Sequence, residues 1–409
     1  MQTHLADVFR NTPDGEVAER ILRNCVHCGF CLATCPTYQV LGSELDSPRG
    51  RIYLMKQMLE GATPSTKTQL HLDRCLTCRN CETTCPSGVE YGKLLDIGRR
   101  IVEEEVGRGA TRAVARAALK AGLGSPLLFN GMLKIGRTVR GLLPGFLRAH
   151  IPAAEAAGDW PSPRHARRML VLQGCVQPGL RPGINAATAR VLDRLGISLV
   201  TAKEAGCCGA LAHHLNDTEA GLSAARRNID AWIPQLDAGA DAIVMTASGC
   251  GVMVKDYGWL LRDDPAYGEK AARVAAATKD ISEILVGEGD AVKRLITRPA
   301  QERVAYHPPC TLQHGQKLAG GVEALLSAAG FELVPVAEQH LCCGAAGTYS
   351  ILQPEIAGQL KARKLGHLQA GQPALIVTAN IGCLTHLQSG TAIPVRHWVE
   401  LLDEALAAS

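Results

Sequence analysis

The chain has 409 residues, with 43 Lys or Arg against 39 Asp or Glu and a formal net charge of +4. That near-balance, with aromatics at only 4%, argues against nucleic-acid binding through a basic face or through stacked bases. The length predicts two or three domains, and composition leaves one outlying feature to explain, sixteen cysteines.

The chain opens MQTHLADVFRNTPDGE, with neither a basic n-region nor an apolar h-region. We therefore expect it to be made and kept in a reducing compartment, the cytoplasm. There, dense cysteine signals metal or redox chemistry, because disulfide scaffolds belong to short secreted domains. No apolar run reaches the roughly 18 residues of a membrane span, so any association with the inner face of the cell membrane is expected to be peripheral.

In chain order, residues 1–24 predict a short helix leading into a first cysteine run. Residues 25–105 hold two such runs. Between them SPRGRIYLMKQMLEG (47–61) places Ile52, Met55, Met58 and Leu59 at helical spacing. Segment 106–154 carries Arg108, Arg112, Arg116, Lys120, Lys134, Arg137, Arg140 and Arg148 and no Asp or Glu, with leucines, Phe129 and Phe146 interleaved. It reads either as linker helices packed on the next domain or as a contact surface for an anionic membrane or an acidic partner subunit.

From residue 168 onward, β-type runs occur at Met169–Leu172, Ile243–Met245, Val304–Tyr306, Leu333–Val336 and Ala374–Val377, with helical segments between them. This alternation predicts α/β units with largely parallel sheets. The half is also duplicated. Cys175, Cys207, Cys208 and Cys250 recur as Cys310, Cys342, Cys343 and Cys383 at offsets of 135, 135, 135 and 133. Cys-Cys-Gly stands at 207–209 and 342–344, and Gly196-Ile-Ser-Leu-Val matches Gly330-Phe-Glu-Leu-Val. The expected fold is α+β overall: a helical module (1–105), a basic amphipathic linker (106–165), then two α/β repeats (166–300 and 301–409) related by a pseudo-twofold.

The two runs are Cys25-x-x-Cys28-x-x-Cys31-x-x-x-Cys35-Pro36 and Cys75-x-x-Cys78-x-x-Cys81-x-x-x-Cys85-Pro86. Two-residue gaps let three thiolates from one tight turn reach three irons of a cubane cluster, and the Pro is expected to end the turn and send the fourth Cys away. In two-cluster ferredoxins that fourth Cys ligates the other cluster. One [4Fe–4S] cluster is thus assigned to Cys25, Cys28, Cys31 and Cys85, the other to Cys75, Cys78, Cys81 and Cys35. Structural zinc more often uses two separated pairs of ligands, without a terminal Pro. The 39 residues between Cys35 and Cys75 allow a helical connection, and the module resembles the α-helical ferredoxin module of respiratory iron–sulfur subunits. Arg49, Arg51, Arg74 and Arg79 lie near the runs, either offsetting the clusters' negative charge or forming solvated surface.

In the duplicated half the cysteines follow strand ends, where α/β folds place functional residues. The pairs Cys207-Cys208 and Cys342-Cys343 are expected to open helices, whose N-termini favour thiolate. The Gly after each pair is expected to let the backbone pass close to a metal centre.

This duplicated Cys-Cys-Gly half resembles that of heterodisulfide reductase subunits. With the N-terminal module, the whole chain resembles the iron–sulfur subunits of glycolate oxidase, anaerobic glycerol-3-phosphate dehydrogenase and D-lactate dehydrogenases. YHPPCTLQHGQ (306–316), SPRGRIYLMKQMLEG (47–61) and ANIGCLTHLQSG (379–390) look most like the glycolate oxidase branch. The resemblance implies an electron-transfer subunit beside two FAD-type flavoprotein subunits that oxidise glycolate to glyoxylate, with electrons leaving to a quinone or other acceptor. The alternatives are an equivalent subunit of a D-lactate or glycerol-3-phosphate dehydrogenase, or a heterodisulfide-reductase-like enzyme.

The family pattern closes each repeat with Cys-x-x-Cys, but here Met253 and His386 stand at the last position. Four cysteines per repeat still suffice for a further [4Fe–4S] cluster or a zinc ion. Cys310, Cys342, Cys343 and Cys383, with His307 or His386 as an extra ligand, form the first candidate. Cys175, Cys207, Cys208 and Cys250 form the second. Inert buried thiols are the alternative for both. His213 and His214 serve either quinone or proton chemistry, or capping and packing. No dinucleotide fingerprint, Walker motif or nucleophile elbow is present. A flavin must then sit on a partner chain, and no catalytic residue is expected here.

Overall fold

The computed structural model describes residues 1–142, 151–296 and 299–407. Phe146 and Arg148 of the basic segment lie outside the described residues.

Nine helices open the described chain: α1 Pro13–Asn24, α2 Phe30–Ala33, α3 Pro36–Leu41, α4 Pro48–Leu59, α5 Thr66–Asp73, α6 Asn80–Thr84, α7 Tyr91–Val106, α8 Ala110–Gly124 and α9 Pro126–Val139. Local chemistry sets several starts. Thr12 caps α1, its side chain accepting from the Gly15 N–H ahead of an N-terminal Pro, and Ser47 caps α4 through the Gly50 N–H. The expected helix over 47–61 is α4. Its Ile52, Met55, Met58 and Leu59 are buried with Ile21 and Leu22 of α1 and Leu94, Leu95 and Ile101 of α7. Pro36 does not merely end the first run; it begins α3, with Cys35 as the preceding cap residue.

The remaining half holds two four-stranded parallel sheets. In the first, β1 (Arg167–Val171), β2 (Ile197–Thr201), β3 (Ile243–Met245) and β4 (Thr278–Asp280) lie in the order β2-β1-β3-β4. In the second, β5 (Arg303–His307), β6 (Glu332–Leu333), β7 (Leu375–Thr378) and β8 (Val395–His397) lie in the order β6-β5-β7-β8. The identical order is the structural form of the duplication. Strands β2, β4 and β8 were not among the expected runs, and β6 is shorter and earlier than Leu333–Val336. Three-residue strands are fixed by pairing to neighbours rather than by local periodicity.

The repeats are joined reciprocally. Helix Gly183–Arg194 of the first packs on Trp398–Ala407 of the second, while their counterparts Gly321–Ala328 and Ile281–Gly287 pack on each other. One apolar core runs through both sheets, including Val171, Leu199 and Val244 from one and Val304, Ile376 and Val395 from the other. Asp403 accepts from Arg190 Nε at 2.8 Å and Arg194 Nη1 at 2.7 Å across this seam.

The basic segment forms helices packed on the neighbouring repeat. Helices α8 and α9 lie against the first repeat, where Arg116 Nη1 donates to the Leu215 carbonyl at 3.3 Å and Arg137 Nη2 to the Gly179 carbonyl at 2.9 Å. Arg108 pairs with Asp73 and Glu103, and Lys120 with Asp217. Yet Leu127, Leu128, Met132 and Ile135 stay exposed. Among the described residues, no helix is long and apolar enough to cross a membrane.

Candidate metal centres

The two N-terminal runs fold alike. His27 and Gly29 flank Cys28 with φ of 56° and 86°, and Thr77 and Arg79 flank Cys78 with φ of 53° and 56°. Left-handed backbone on both sides of the middle Cys curls the turn so that its thiols face inward. For three non-glycine residues that costs about 1–2 kcal/mol each, a strain concentrated at the chemistry.

The turns build two cavities. Cys25, Cys28, Cys31, Cys81 and Cys85 line the first; Cys35, Cys75, Cys78 and Cys81 line the second. Each cavity thus meets thiols from both runs. Pro48, Cys81 and Tyr91 line both cavities, so the two share a wall. Cys28 is exposed, whereas Cys35, Cys78 and Cys81 are buried. Burial raises the Cys31 thiol to about 11 and the Cys78 and Cys81 thiols well above their usual range, so these thiols deprotonate readily only beside a cation.

Of the nearby arginines, Arg51 is not solvated surface. It is 1% exposed, lines the second cavity, and donates through Nε to the His71 carbonyl at 2.7 Å and through Nη1 to Thr37 Oγ1 at 3.1 Å. Its Nη2 is buried, makes no hydrogen bond within the chain and lies 3.5 Å from Asp46 Oδ1. Burial disfavours its charge, but Cys75, Tyr91, Cys35 and Asp46 outweigh that. Arg79 also lines this cavity and pairs with Asp256 of the first repeat. Arg49 pairs with Glu44 beside the first cavity, and Arg74 with Asp46. Eight thiols around two adjoining cavities, beside a buried arginine, fit anionic iron–sulfur clusters.

The second Cys-Cys-Gly site adjoins the second cavity. Cys78 and Leu76 pack in one buried cluster with Cys310, Cys342, Tyr349, Ile356 and Leu360. The docking is polar at its rim: Tyr349 Oη donates to the Arg74 carbonyl at 3.0 Å, and Asn80 Nδ2 to the His340 carbonyl at 3.1 Å. Within the site the Cys310 and Cys342 Sγ atoms are 3.8 Å apart, and Asn380 Nδ2 donates to Cys383 Sγ at 3.5 Å. Both ring nitrogens of His307 are buried without partners; orphaned polar atoms of this kind cost about 1–3 kcal/mol each when nothing binds them. Burial also pulls the His307 pKa well down, so the imidazole is neutral. His386 is half-buried against the backbone of Ala357 and Cys343.

Lys364, which the sequence did not single out, is 2% exposed and donates to the Glu338 carbonyl at 2.6 Å. Burial lowers its pKa, while Cys343, Cys342 and Cys310 favour its charged form. Its signal in sequence is faint: one of three Lys or Arg residues, with Lys361 and Arg363, on helix Pro354–Gln369.

In the first repeat, Cys175, Cys207, Cys208 and Cys250 form a chain of thiol contacts. Hydrogen bonds from the Cys175 and Cys208 thiols and the Gly209 N–H hold Cys207 well below the ordinary thiol range. Tyr257 Oη donates to the Cys208 carbonyl at 2.7 Å. Gly209 (φ +88°) and Gly344 (φ +91°) also bring the backbone against a helix: a Cβ there would stand 2.6 Å from the Gly221 carbonyl oxygen or 2.7 Å from that of Ala357. A five-residue helix, Ala210–His214, follows the first pair, but turns separate the second pair from Tyr349–Leu352. His213 Nε2 lies 3.4 Å from Asp96 Oδ2 of α7, with His214 alongside, so these histidines join the module to the first repeat.

Comparison with known families agrees with this layout. Residues 21–89 match a 4Fe-4S dicluster domain, and residues 169–255 and 304–388 each match a cysteine-rich domain. The chain is 54% identical over 99% of both chains to the glycolate oxidase iron-sulfur subunit of Escherichia coli K12. The chain belongs to the family of glycolate oxidase iron–sulfur subunits. It is 34% identical, over 90% of this chain and 89% of the relative, to a probable member from Bacillus subtilis 168. A more distant likeness, 25% identical over 99% of this chain and 76% of the other, is to a subunit of the fumarate reductase (CoM/CoB) of Methanothermobacter marburgensis. As in the family, iron–sulfur clusters are the cofactors.

Proposed function

We propose that the chain carries electrons from a flavin-dependent glycolate dehydrogenase reaction, glycolate to glyoxylate, performed on two FAD-type flavoprotein partners. The observation that carries this reading is the pair of cysteine-lined cavities, fed by both runs and sharing the wall of Pro48, Cys81 and Tyr91. Cys25, Cys28, Cys31 and Cys85 hold one [4Fe–4S] cluster; Cys35, Cys75, Cys78 and Cys81 hold the other. Cys310, Cys342, Cys343 and Cys383 hold a third centre, and Cys175, Cys207, Cys208 and Cys250 a fourth. When bound, the clusters supply one-electron redox chemistry. The chain's own residues do the rest: thiolates fix each centre, Arg51 and Lys364 offset anionic charge, and Leu76 and Tyr349 exclude water between Cys78 and Cys310. Cys28, exposed beside Val26 and Phe30, is where a flavoprotein donor approaches.

The acceptor is a quinone or similar carrier. The apolar face of α9, with Lys134 and with Arg112 on α8, rests on an anionic membrane surface. Leu127→Ser with Ile135→Ser should abolish co-sedimentation with anionic vesicles, and unchanged binding refutes that contact.

The central test is co-purification with the flavoprotein subunits, followed by dye reduction on glycolate, D-lactate and glycerol 3-phosphate. Cys81→Ser should stop electron flow while the partner's flavin is still reduced by glycolate. Absence of a reduced [4Fe–4S] signal after dithionite, in electron paramagnetic resonance, overturns the carrier reading.

A further inference from the structure

The two repeats match in topology, and among their aligned differences one lies beside the thiols. Strand pairing sets Leu170 beside Ile243 in the first sheet and Ala305 beside Ile376 in the second. With the repeat's offsets of 135 and 133 these are equivalent pairs, and His307 therefore stands where the first repeat has Leu172. Leu172 is simply a buried apolar side chain. His307 is 1% exposed, neither ring nitrogen has a partner, and its ligand atom lies with Cys343 Sγ and Cys383 Sγ, all within 4.8 Å of one another. The counterparts of those thiols, Cys208 and Cys250, have only leucine in that place. His386, at the other aligned difference, falls outside this grouping.

We propose that His307 is a ligand of the second-repeat centre, making it a mixed thiolate–imidazole iron–sulfur centre, whereas the first repeat offers thiolates alone. The proposal rests on the electron-carrier reading above. An imidazole brings no negative charge, and replacing thiolate by histidine raises a cluster's potential. Such a ligand set would make the second-repeat centre the more readily reduced one, beside the Cys78–Cys310 contact.

The test uses the cluster-loaded full chain, grown with isotope-labelled histidine, reduced and examined by pulsed electron paramagnetic resonance for nitrogen coupling. A histidine coupling is expected in the native protein, lost in His307→Leu and retained in His386→Leu, with the N-terminal cluster signals unchanged in both. If His307→Leu loses the centre altogether, His307→Cys serves instead, restoring a centre without nitrogen coupling and with a lower potential. The proposal is overturned if native protein shows no coupling while the N-terminal signals are present. It is equally overturned if coupling survives in His307→Leu or His307→Cys, or if the centre holds stoichiometric zinc. Missing N-terminal signals sink the carrier reading itself, and this inference with it.

Discussion

Asp46→Asn is the sharpest test of how the second cavity is held. Asp46 is fully buried, and its carboxylate lies 3.5 Å from Arg51 Nη2, 2.9 Å from His71 Nδ1 and 3.0 Å from Arg74 Nη1. At an effective dielectric of about 20, the Arg51 pair at 3.5 Å is worth about 5 kcal/mol of Coulomb energy. Arg74 is more exposed and more screened, so its pair adds little. Removing one partner of a buried pair typically costs about 3–5 kcal/mol, because the other charge is left uncompensated. With a urea m-value of about 2 kcal/mol/M, the unfolding midpoint of the N-terminal module should fall by about 2 M. The assay is urea titration of the loaded protein without oxygen, following cluster absorbance and circular dichroism together. Adding Arg51→Met should recover much of the loss, since the stranded charge is gone. It should also lower the potential of the cluster held by Cys35, Cys75, Cys78 and Cys81. A midpoint shift below about 0.5 M for Asp46→Asn, or no recovery in the double variant, refutes the argument.

Lys364→Met should lower the midpoint potential of the second-repeat centre by roughly 60 mV or more, the one-electron equivalent of about 1.4 kcal/mol; redox titration reads this directly. Gly344→Ala must place a Cβ at φ +91° and 2.7 Å from the Ala357 oxygen, so about 2 kcal/mol or more of stability should be lost, with iron content falling at the second repeat first. At His213, burial pushes the pKa down but Asp96 outweighs it and the net shift is upward. A raised folded-state pKa gives stability that is full below the unfolded value of about 6.5 and lost as pH rises through the folded value. The pH dependence of the unfolding midpoint should therefore flatten over that window in His213→Gln, and an unaltered profile would contradict the Asp96 pairing.

The sequence by itself determined the elements whose signal is local. The Cys-x-x-Cys turns, α4 with its buried face, the duplication at an offset of 135 and the parallel α/β character all follow from spacing along the chain. Strands β4 and β8, three residues each, carry no period of their own and exist because β3 and β7 pair with them. The same limit applies to the sites. Which histidine meets Cys343 and Cys383, which arginine is buried, and that Lys364 faces thiols are set by how distant segments pack. So is the meeting of Cys78 with Cys310, across 232 positions of the sequence. Ligand type is written in the covalent chain; the environment that tunes each ligand arises only when separate elements share one low-dielectric interior, where a few ångströms decide whether a charge is compensated.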